Sequence, residues 1–581
     1  MYILEIVSGY KMRLCFRRSF TKKIMIKPLR RYSTLIPSYY ITTPIYYVNA
    51  SPHIGHLYSS VIADAIQRFQ KLIHPEENVI FSTGTDEHGT KIQQSAIKHN
   101  QPLNEYCLNV SNSYKEMFQC FSVDYTRFIR TTEAKHKEAV HKFWETIDKN
   151  GCVYSANYSG WYCIADETFL SDLEVTDQIL SNGQKIKVSK ESGHPVEWTE
   201  EQNYMFKLSN FQDNLKNWLL QNENAVQPKK FHKILLNWIT KDEMRDVSIS
   251  RPISRVHWGI KVPGDSTQTI YVWMDALINY LSVVGYPNEL NCWPPNVQVI
   301  GKDILKFHGI YWPAFLMAAS LKLPKTILCH SHWTVDGEKM SKSKSNVISP
   351  IKLSNTYTNE GIRYFLLREG ITHRDGNYSE VKLMRVLNSE LADTFGNLLS
   401  RCCGNALNPT QTIPPLNKTA FNEITKIEAG KKLIELVESL ENVCFKHYEN
   451  YNFYKVVDSV INTLHAANLF VETMKPWELR KKIELIPQLE ITLHLTFETL
   501  RVSGIILQPI IPQLSKQLLD KLNVDPNKRF WNDLKRLSWN VDETKEIVEL
   551  SKEKTILFKR ILTEREDKEK KKRKINCNKF M

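Results

Sequence analysis

The chain has 581 residues, 42% of them hydrophobic, which suits a multidomain globular protein and excludes a disordered one. Lysine and arginine number 77 against 63 aspartates and glutamates, a formal charge of +14. Residues 1–40 hold nine basic residues and one acidic, residues 559–581 hold ten and four, and the body between them is formally neutral. A general polyanion binder is therefore excluded, and any nucleic-acid surface on the body is a local patch. The eleven cysteines are scattered with no C-x-x-C spacing, which argues against a zinc ribbon and a disulfide framework and points to a reducing compartment. The greasiest stretch, Gly504 to Pro512, contains Gln508 and is too short to span a bilayer, so no membrane partner is expected.

Residues 1–37 carry Arg13, Arg17, Arg18, Lys22, Lys23, Lys27, Arg30 and Arg31 with Glu5 as the sole acid, among serines and threonines. This composition predicts a transit peptide addressing the chain to the mitochondrial matrix. The residues Tyr39 to Thr43 are aromatic and β-branched and predict a buried strand closed by Pro44. After a polar turn, Leu57, Ile62, Ala65, Ile66 and Phe69 fall on one helical face. His53, Ile54, Gly55 and His56 sit between strand and helix. Free N–H groups and the dipole at such a helix start attract anions, Gly55 admits a phosphate to the backbone, and the two imidazoles can donate to its oxygens.

A second strand, Asn78 to Phe81, ends in STGTDEHGT at 82–90 and carries Asp86 and His88 to the strand's carboxyl end, where open parallel sheets bind ligands. Helices are predicted over Asn104–Phe121 and Glu133–Lys149. Residues 151–240 read as an insertion. Apolar and aromatic residues return at 271–280, YVWMDALINY, and on their own read as core. A strand over Asn296–Ile300 leads into Gly301 and Asp303; Gly301 gives backbone approach, and Asp303 can accept from ribose hydroxyls. His308 and Trp312 follow, four apart on a helix and so on one face. The loop DGEKMSKSKSNVI, 336–348, spaces lysines with serines after a glycine, which suits a mobile basic loop. From Leu383 only helical patterns occur. Leu387, Leu391, Phe395, Leu398 and Cys402 form one apolar stripe, Phe453 to Met474 carries another, and Leu489–Leu507 makes a further helix. Asn397 and Arg401 are neighbours at i, i+4, and Trp477 follows Pro476 at a helix boundary. Glu564–Lys574 is a charged helix or tail.

The pair HIGH at 53–56 and KMSKS at 339–343, in this order, resembles class I aminoacyl-tRNA synthetases, and TTPIYYVN and YVWMDALINY resemble the methionyl family in particular. The resemblance implies an α/β fold: a Rossmann-like parallel-sheet catalytic domain (38–150 and 241–380) with a connective insertion (151–240), followed by an all-α helical-bundle anticodon-binding domain (381–545) and a basic C-terminal helix or tail (546–581). It implies ATP as substrate with Mg²⁺, methionine and tRNA(Met), read at its CAU anticodon, as partners, and a monomer. His53, Gly55, His56, Gly301, Asp303, Lys339 and Lys342 would serve ATP, with His53, His56, Lys339 and Lys342 as the catalytic groups. Asp86 would hold the α-ammonium, and Ile45, Tyr47, Trp273, Leu277, Tyr280, His308 and Trp312 the methionine. Asn397, Arg401 and Trp477 would read the anticodon. Many relatives carry zinc-binding cysteine pairs in the insertion; here Asp166 follows Cys163 at the second ligand position and the later half has no pair, so a zinc-free insertion is expected. Leu277 stands where many relatives have proline. Two other readings stay open: a leucine, isoleucine, valine or cysteine synthetase, and a catalytically inactive tRNA-binding relative.

Overall fold

The computed structural model describes residues 38–562 apart from 181–182, 191, 242, 291, 341–345 and 541–546. The basic segment 1–37, the charged stretch Glu564–Lys574 and Lys342 lie outside the described residues. Helices make up most of the described chain beyond residue 380, and a parallel sheet forms the centre of the part before it.

The central sheet has six strands, all parallel. Its spatial order is β3 (Arg127–Arg130), β2 (Asn78–Asp86), β1 (Ser38–Tyr47), then Val297–Gly301, Ile327–His330 and Val226–Gln227. From β1 the first half of the fold runs outward through β2 to β3; the second half lies on the other side of β1, entering at the edge strand Val226–Gln227 before forming Val297–Gly301 and Ile327–His330. The topological switch point therefore lies between β1 and Val297–Gly301, and the crevice above their carboxyl ends is the expected ligand site. β1 does not stop at Pro44. It passes through the proline to Tyr47, with the β2 partner shifting from Ser82 opposite Thr42 to Gly84 opposite Ile45. A proline without an N–H is tolerated where a bulge already breaks the ladder.

Helix α1 (Ile54–Ile73) follows β1 and is buried along most of its length, including the predicted face Leu57, Ile62, Ala65, Ile66 and Phe69. Helices α2 (Thr90–Lys98), α3 (Leu103–Cys120) and α4 (Ala134–Lys149) complete the first half. The insertion is built on an antiparallel sheet of Val153–Cys163, Glu197–Phe206, Val247–Ser248 and Thr168–Leu170. The chain rejoins the central sheet at Val226–Gln227, before the boundary expected at 240. These two residues are too short a run to read as a strand.

The C-terminal region packs the helices Glu428–Glu449, Phe453–Met474, Ile486–Leu507 and Pro512–Lys521 against a continuous helical run, Glu380–Cys402. The middle of that run, Leu387–Gly396, is wound with π geometry. The stripe of Leu387, Leu391, Phe395, Leu398 and Cys402 is buried. Residues 547–562, grouped by charge with the tail, form an irregular segment with one short strand. Val548–Glu549 pairs with Thr412–Ile413, and Leu557 and Phe558 are buried on the bundle.

A buried ion pair joins α1 to the helix Asn359–Glu369, which in turn contacts this helical region. Asp64, in the middle of α1, meets Arg363 at 2.7 Å, both side chains being wholly buried. Arg363 also donates to the carbonyls of Phe121, Pro509 and Ile510. Burial opposes the charge on Asp64, but Arg363 and then Arg68 outweigh it and hold the carboxyl below its usual range. A depressed carboxylate contributes stability above the ordinary carboxylate range and loses it as pH falls through the folded value. Arg363→Met should lower the unfolding free energy by about 3–5 kcal/mol, because it leaves a buried carboxylate short of its partner. Urea unfolding measures this, and a change under about 1 kcal/mol would contradict the assignment.

Candidate active site

The start of α1 is organised by its two histidines. His53 is the N-cap residue, and its Nδ1 accepts from the Gly55 N–H at 3.0 Å. His56 Nδ1 accepts from the His53 N–H at 3.2 Å and lies 3.2 Å from the Tyr114 hydroxyl. The rings stack with centroids 3.8 Å apart. With both Nδ1 atoms engaged as acceptors, each neutral imidazole carries its proton on Nε2, the donor it can offer a phosphate oxygen. A Cβ on Gly55 would lie 2.8 Å from His53 Cε1, so glycine is needed for this cap to close.

Asp86 ends β2, directly across from Tyr47 in the β1–β2 register. It is buried, and the contact recorded for its carboxylate is a long one to the His88 N–H at 3.5 Å. Burial first, then the neighbouring carboxylate of Asp275, push the Asp86 carboxyl well above its usual range. An ammonium group docked there would restore the anion, so the position favours a cationic ligand. Asp275 is the opposite case. It accepts from His88 Nδ1 at 2.6 Å and His136 Nε2 at 2.7 Å. Burial works against its charge, yet His88 and His136 outweigh it and hold it at about 2.

Asp275 lies on the helix Val272–Ser282, which also carries Trp273, Leu277 and Tyr280. Trp273 stacks on Phe307 with centroids 3.8 Å apart, and Leu277 is buried. Tyr280 donates its hydroxyl to His308 Nε2 at 2.7 Å, while His308 Nδ1 donates to the Ile304 carbonyl at 3.0 Å. Trp312 is fully buried, its ring 6.0 Å from Tyr280. His308 lies in a π-wound turn, Phe307–Tyr311, and Trp312 begins the α-helix after it. Burial pulls His308 down to about 4, so the ring is neutral. Ile45 is half-buried, next to the β1 bulge. Tyr47 donates its hydroxyl to Glu167 of the insertion at 3.0 Å.

At the far side of the crevice, Gly301 ends its strand and the exposed Asp303 is bonded to His332 at 3.0 Å. His330, ending Ile327–His330, accepts from Ser59 of α1 at 2.7 Å. The basic loop reaches the same place. Trp333–Val335 and Glu338–Lys339 form a hairpin, Met340 Cε approaches the Cβ position of Gly55 at 3.8 Å, and the Ile54 N–H donates to the Ile348 carbonyl at 3.1 Å. Met340 and Ile348, nearly 300 residues from α1 in the chain, are thus brought to its first turn.

A family profile described as tRNA synthetases class I (M) matches residues 39–403. The chain is 46% identical over 507 residues to a methionine–tRNA ligase, mitochondrial, of Homo sapiens, covering 85% of each chain. It belongs to the methionyl branch of the class I tRNA synthetases. A further member of this family, the probable methionine–tRNA ligase, mitochondrial, of Dictyostelium discoideum, is 41% identical over 535 residues, covering 89% of this chain and 92% of that one. Among solved structures, the Mycobacterium tuberculosis methionyl-tRNA synthetase in complex with methionyl-adenylate matches with a TM-score of 0.82 at 33% identity, covering 90% of this chain and all of that one.

Two other features of this class I chain complete the geometry. In the insertion, Cys163 Sγ donates to Asp166 at 3.1 Å, Ser192 also donates to Asp166, and the His194 N–H donates to Ser192 at 3.3 Å. Hydrogen bonds close this turn. In the bundle, the Arg401 guanidinium lies 5.8 Å from the Trp477 ring centroid and pairs with Glu472 at 2.7 Å. Lys475, at φ 48°, breaks the helix ahead of Pro476, so Trp477 leaves the core face half-buried. Asn397 is exposed one turn before Arg401.

Sequence reasoning missed Tyr114, His136, Glu167, Asp275 and His330. Each acts through a contact across a large sequence distance, and no local pattern announces it. Because His308 is neutral when folded, the unfolded chain binds its proton first as pH falls. Its contribution to stability is therefore lost between about pH 6.5 and about pH 4. Nitrogen NMR of the ring should show the neutral Nδ1–H tautomer at pH 6, and His308→Gln should flatten part of the acid slope. An imidazolium at pH 6 would contradict the buried arrangement.

Proposed function

We propose that the chain activates methionine with ATP and transfers it to tRNA(Met) during mitochondrial translation, as a monomer in the matrix. Activation of methionine and charging of tRNA are the activity of its family. One juxtaposition carries the assignment to residues. A buried carboxylate in want of a cation, Asp86, lies across from Tyr47, and the helix that holds Asp275 also carries Tyr280, hydrogen-bonded to the buried, neutral His308.

In the proposed site the α-ammonium of methionine pairs with Asp86. The thioether is held among Ile45, Tyr47, Trp273, Leu277, Tyr280, His308 and Trp312, where aromatic rings suit a polarizable sulfur. The carboxylate is already a nucleophile and needs no base. It attacks the α-phosphorus in line, and pyrophosphate leaves. The catalytic tasks are positioning and charge neutralisation, assigned to His53, His56, Lys339 and Lys342, while Gly55, Gly301 and Asp303 hold the nucleotide. Closing the 336–348 loop over α1 would complete the site. Among the described residues no group of three or more His, Cys, Asp and Glu side chains is arranged for a metal ion. Mg²⁺ would arrive on the ATP phosphates. In the second step the ribose 2′-hydroxyl at the 3′ end of tRNA takes the methionyl group, and AMP leaves. Asn397, Arg401 and Trp477 are assigned to the CAU anticodon, an unpaired base stacking on the indole. The insertion is assigned no zinc, because Asp166 stands at the second ligand position after Cys163 and the later half has no cysteine pair. No helix among the described residues is long and apolar enough to cross a membrane.

The test separates the two ends of the molecule. Lys342→Ala should slow methionine-dependent pyrophosphate exchange by about a hundred- to a thousandfold, since a preorganised donor to developing charge is lost. Near-wild-type exchange would remove the loop from the chemistry. Trp477→Ala should weaken charging of a CAU transcript by about ten- to a hundredfold and spare exchange, as one lost base stack predicts. Equal losses in both assays with a lowered melting temperature would make Trp477 a packing residue.

A further inference from the structure

Glu167 comes from the insertion, yet its side chain is buried against the catalytic domain. Its Oε1 accepts from the Tyr47 hydroxyl at 3.0 Å and from the Lys91 N–H at 2.8 Å, in the first turn of α2. Its Oε2 accepts from the Tyr162 hydroxyl at 2.9 Å, and its backbone carbonyl accepts from the Tyr271 hydroxyl at 2.5 Å. No ion pair is recorded for this carboxylate among the described residues. Hydroxyls and a helix start solvate it instead, a helix whose N-cap Gly89 has no side chain to do so. The backbone is held with equal care. Glu167 sits at φ 51°, a left-handed conformation that a glutamate rarely adopts and that is retained where surrounding structure enforces it. Gly89 has φ 113°, and a Cβ there would lie 2.5 Å from the Tyr47 hydroxyl and 3.0 Å from Glu167 Oε1. The space around this carboxylate is fully used. Its charge is also felt at Asp86, whose ionisation it opposes.

We infer that Glu167 is a positioning residue for the amino-acid site: it fixes the Tyr47 phenol and the start of α2, and its charge adds to that of Asp86 where the α-ammonium docks. The inference rests on the methionine pocket proposed above. It also gives the insertion a role in amino-acid binding, since the turn that closes through Cys163, Asp166 and Ser192 sets the neighbouring Glu167 in place.

Glu167→Gln preserves shape and the Oε1 acceptor but removes the charge. Tyr47→Phe removes one hydroxyl. Both, the double variant and Asp86→Asn are compared in methionine-dependent pyrophosphate exchange on the full chain, with melting curves. Glu167→Gln should raise KM for methionine about tenfold, the scale of one lost charge interaction in a partly buried site, leaving KM for ATP within about twofold. The double variant with Tyr47→Phe should show less than the product of the two single effects. A plain helix-capping role predicts a lower melting temperature with both KM values unchanged, and that result would overturn the inference. If Asp86→Asn raises KM for methionine while Glu167→Gln does not, the pocket stands and the inference falls. If neither changes it, the pocket itself is misassigned and the inference falls with it.

Discussion

The contact between Asp64 and Arg363 is the constraint on which the rest of this molecule depends. Helix α1 carries the His53–His56 cap at its first turn and Asp64 two to three turns further on. Arg363 grips that aspartate and also the chain at Pro509 and Ile510, where two long helices of the bundle meet. Nearby, Glu360 accepts from the N–H groups of Gln513 and Leu514 at the start of the next helix. Wholly buried charges of this kind are costly unless every partner is in place, so they hold one arrangement rather than many. The start of α1 is thereby set relative to the bundle helices. Under the proposed function, such a fixed separation suits an enzyme that engages a long tRNA at both ends.

The active-site crevice is electrostatically divided, and burial does the dividing. Asp275 is kept charged by two histidines, whereas Asp86 lacks a cation and is pushed towards its neutral form. His308 is kept neutral, bridging Tyr280 and the Ile304 carbonyl. In the proposed site this leaves a neutral region for the thioether beside a carboxylate that gains from a positive charge. A pocket of this type distinguishes an amino acid by what its side chain lacks: no charge and no strong hydrogen-bonding group to satisfy.

Much of this was legible in the sequence, and the reason is local. The expected ends of α3 and α4 fall within one residue of those observed, and the expected apolar face of α1 is buried, because side-chain period and turn residues carry them. The signature motif at 53–56 points to the carboxyl end of β1 because it is a short run whose chemistry is contained in it. Pro44 misled: a proline reads as a strand end, and only the bulge opposite Thr83 shows why the strand continues. Val226–Gln227 was absorbed into the insertion because two residues have no period. The strap at 547–562 was grouped with a basic tail by charge, although Leu557 and Phe558 bury on the bundle. Glu167 has no local signal at all: its partners Tyr47 and Lys91 are far away in the chain.

Amino-acid-dependent exchange of labelled pyrophosphate into ATP, run on the purified chain with each of the twenty amino acids in turn and no tRNA, tests the central claim most directly. A neutral pocket beside a carboxylate, with phosphate donors at the start of α1, predicts that methionine drives exchange and that leucine, isoleucine, valine and cysteine do so far less. Exchange driven best by one of those four, or by none of the twenty, would contradict it.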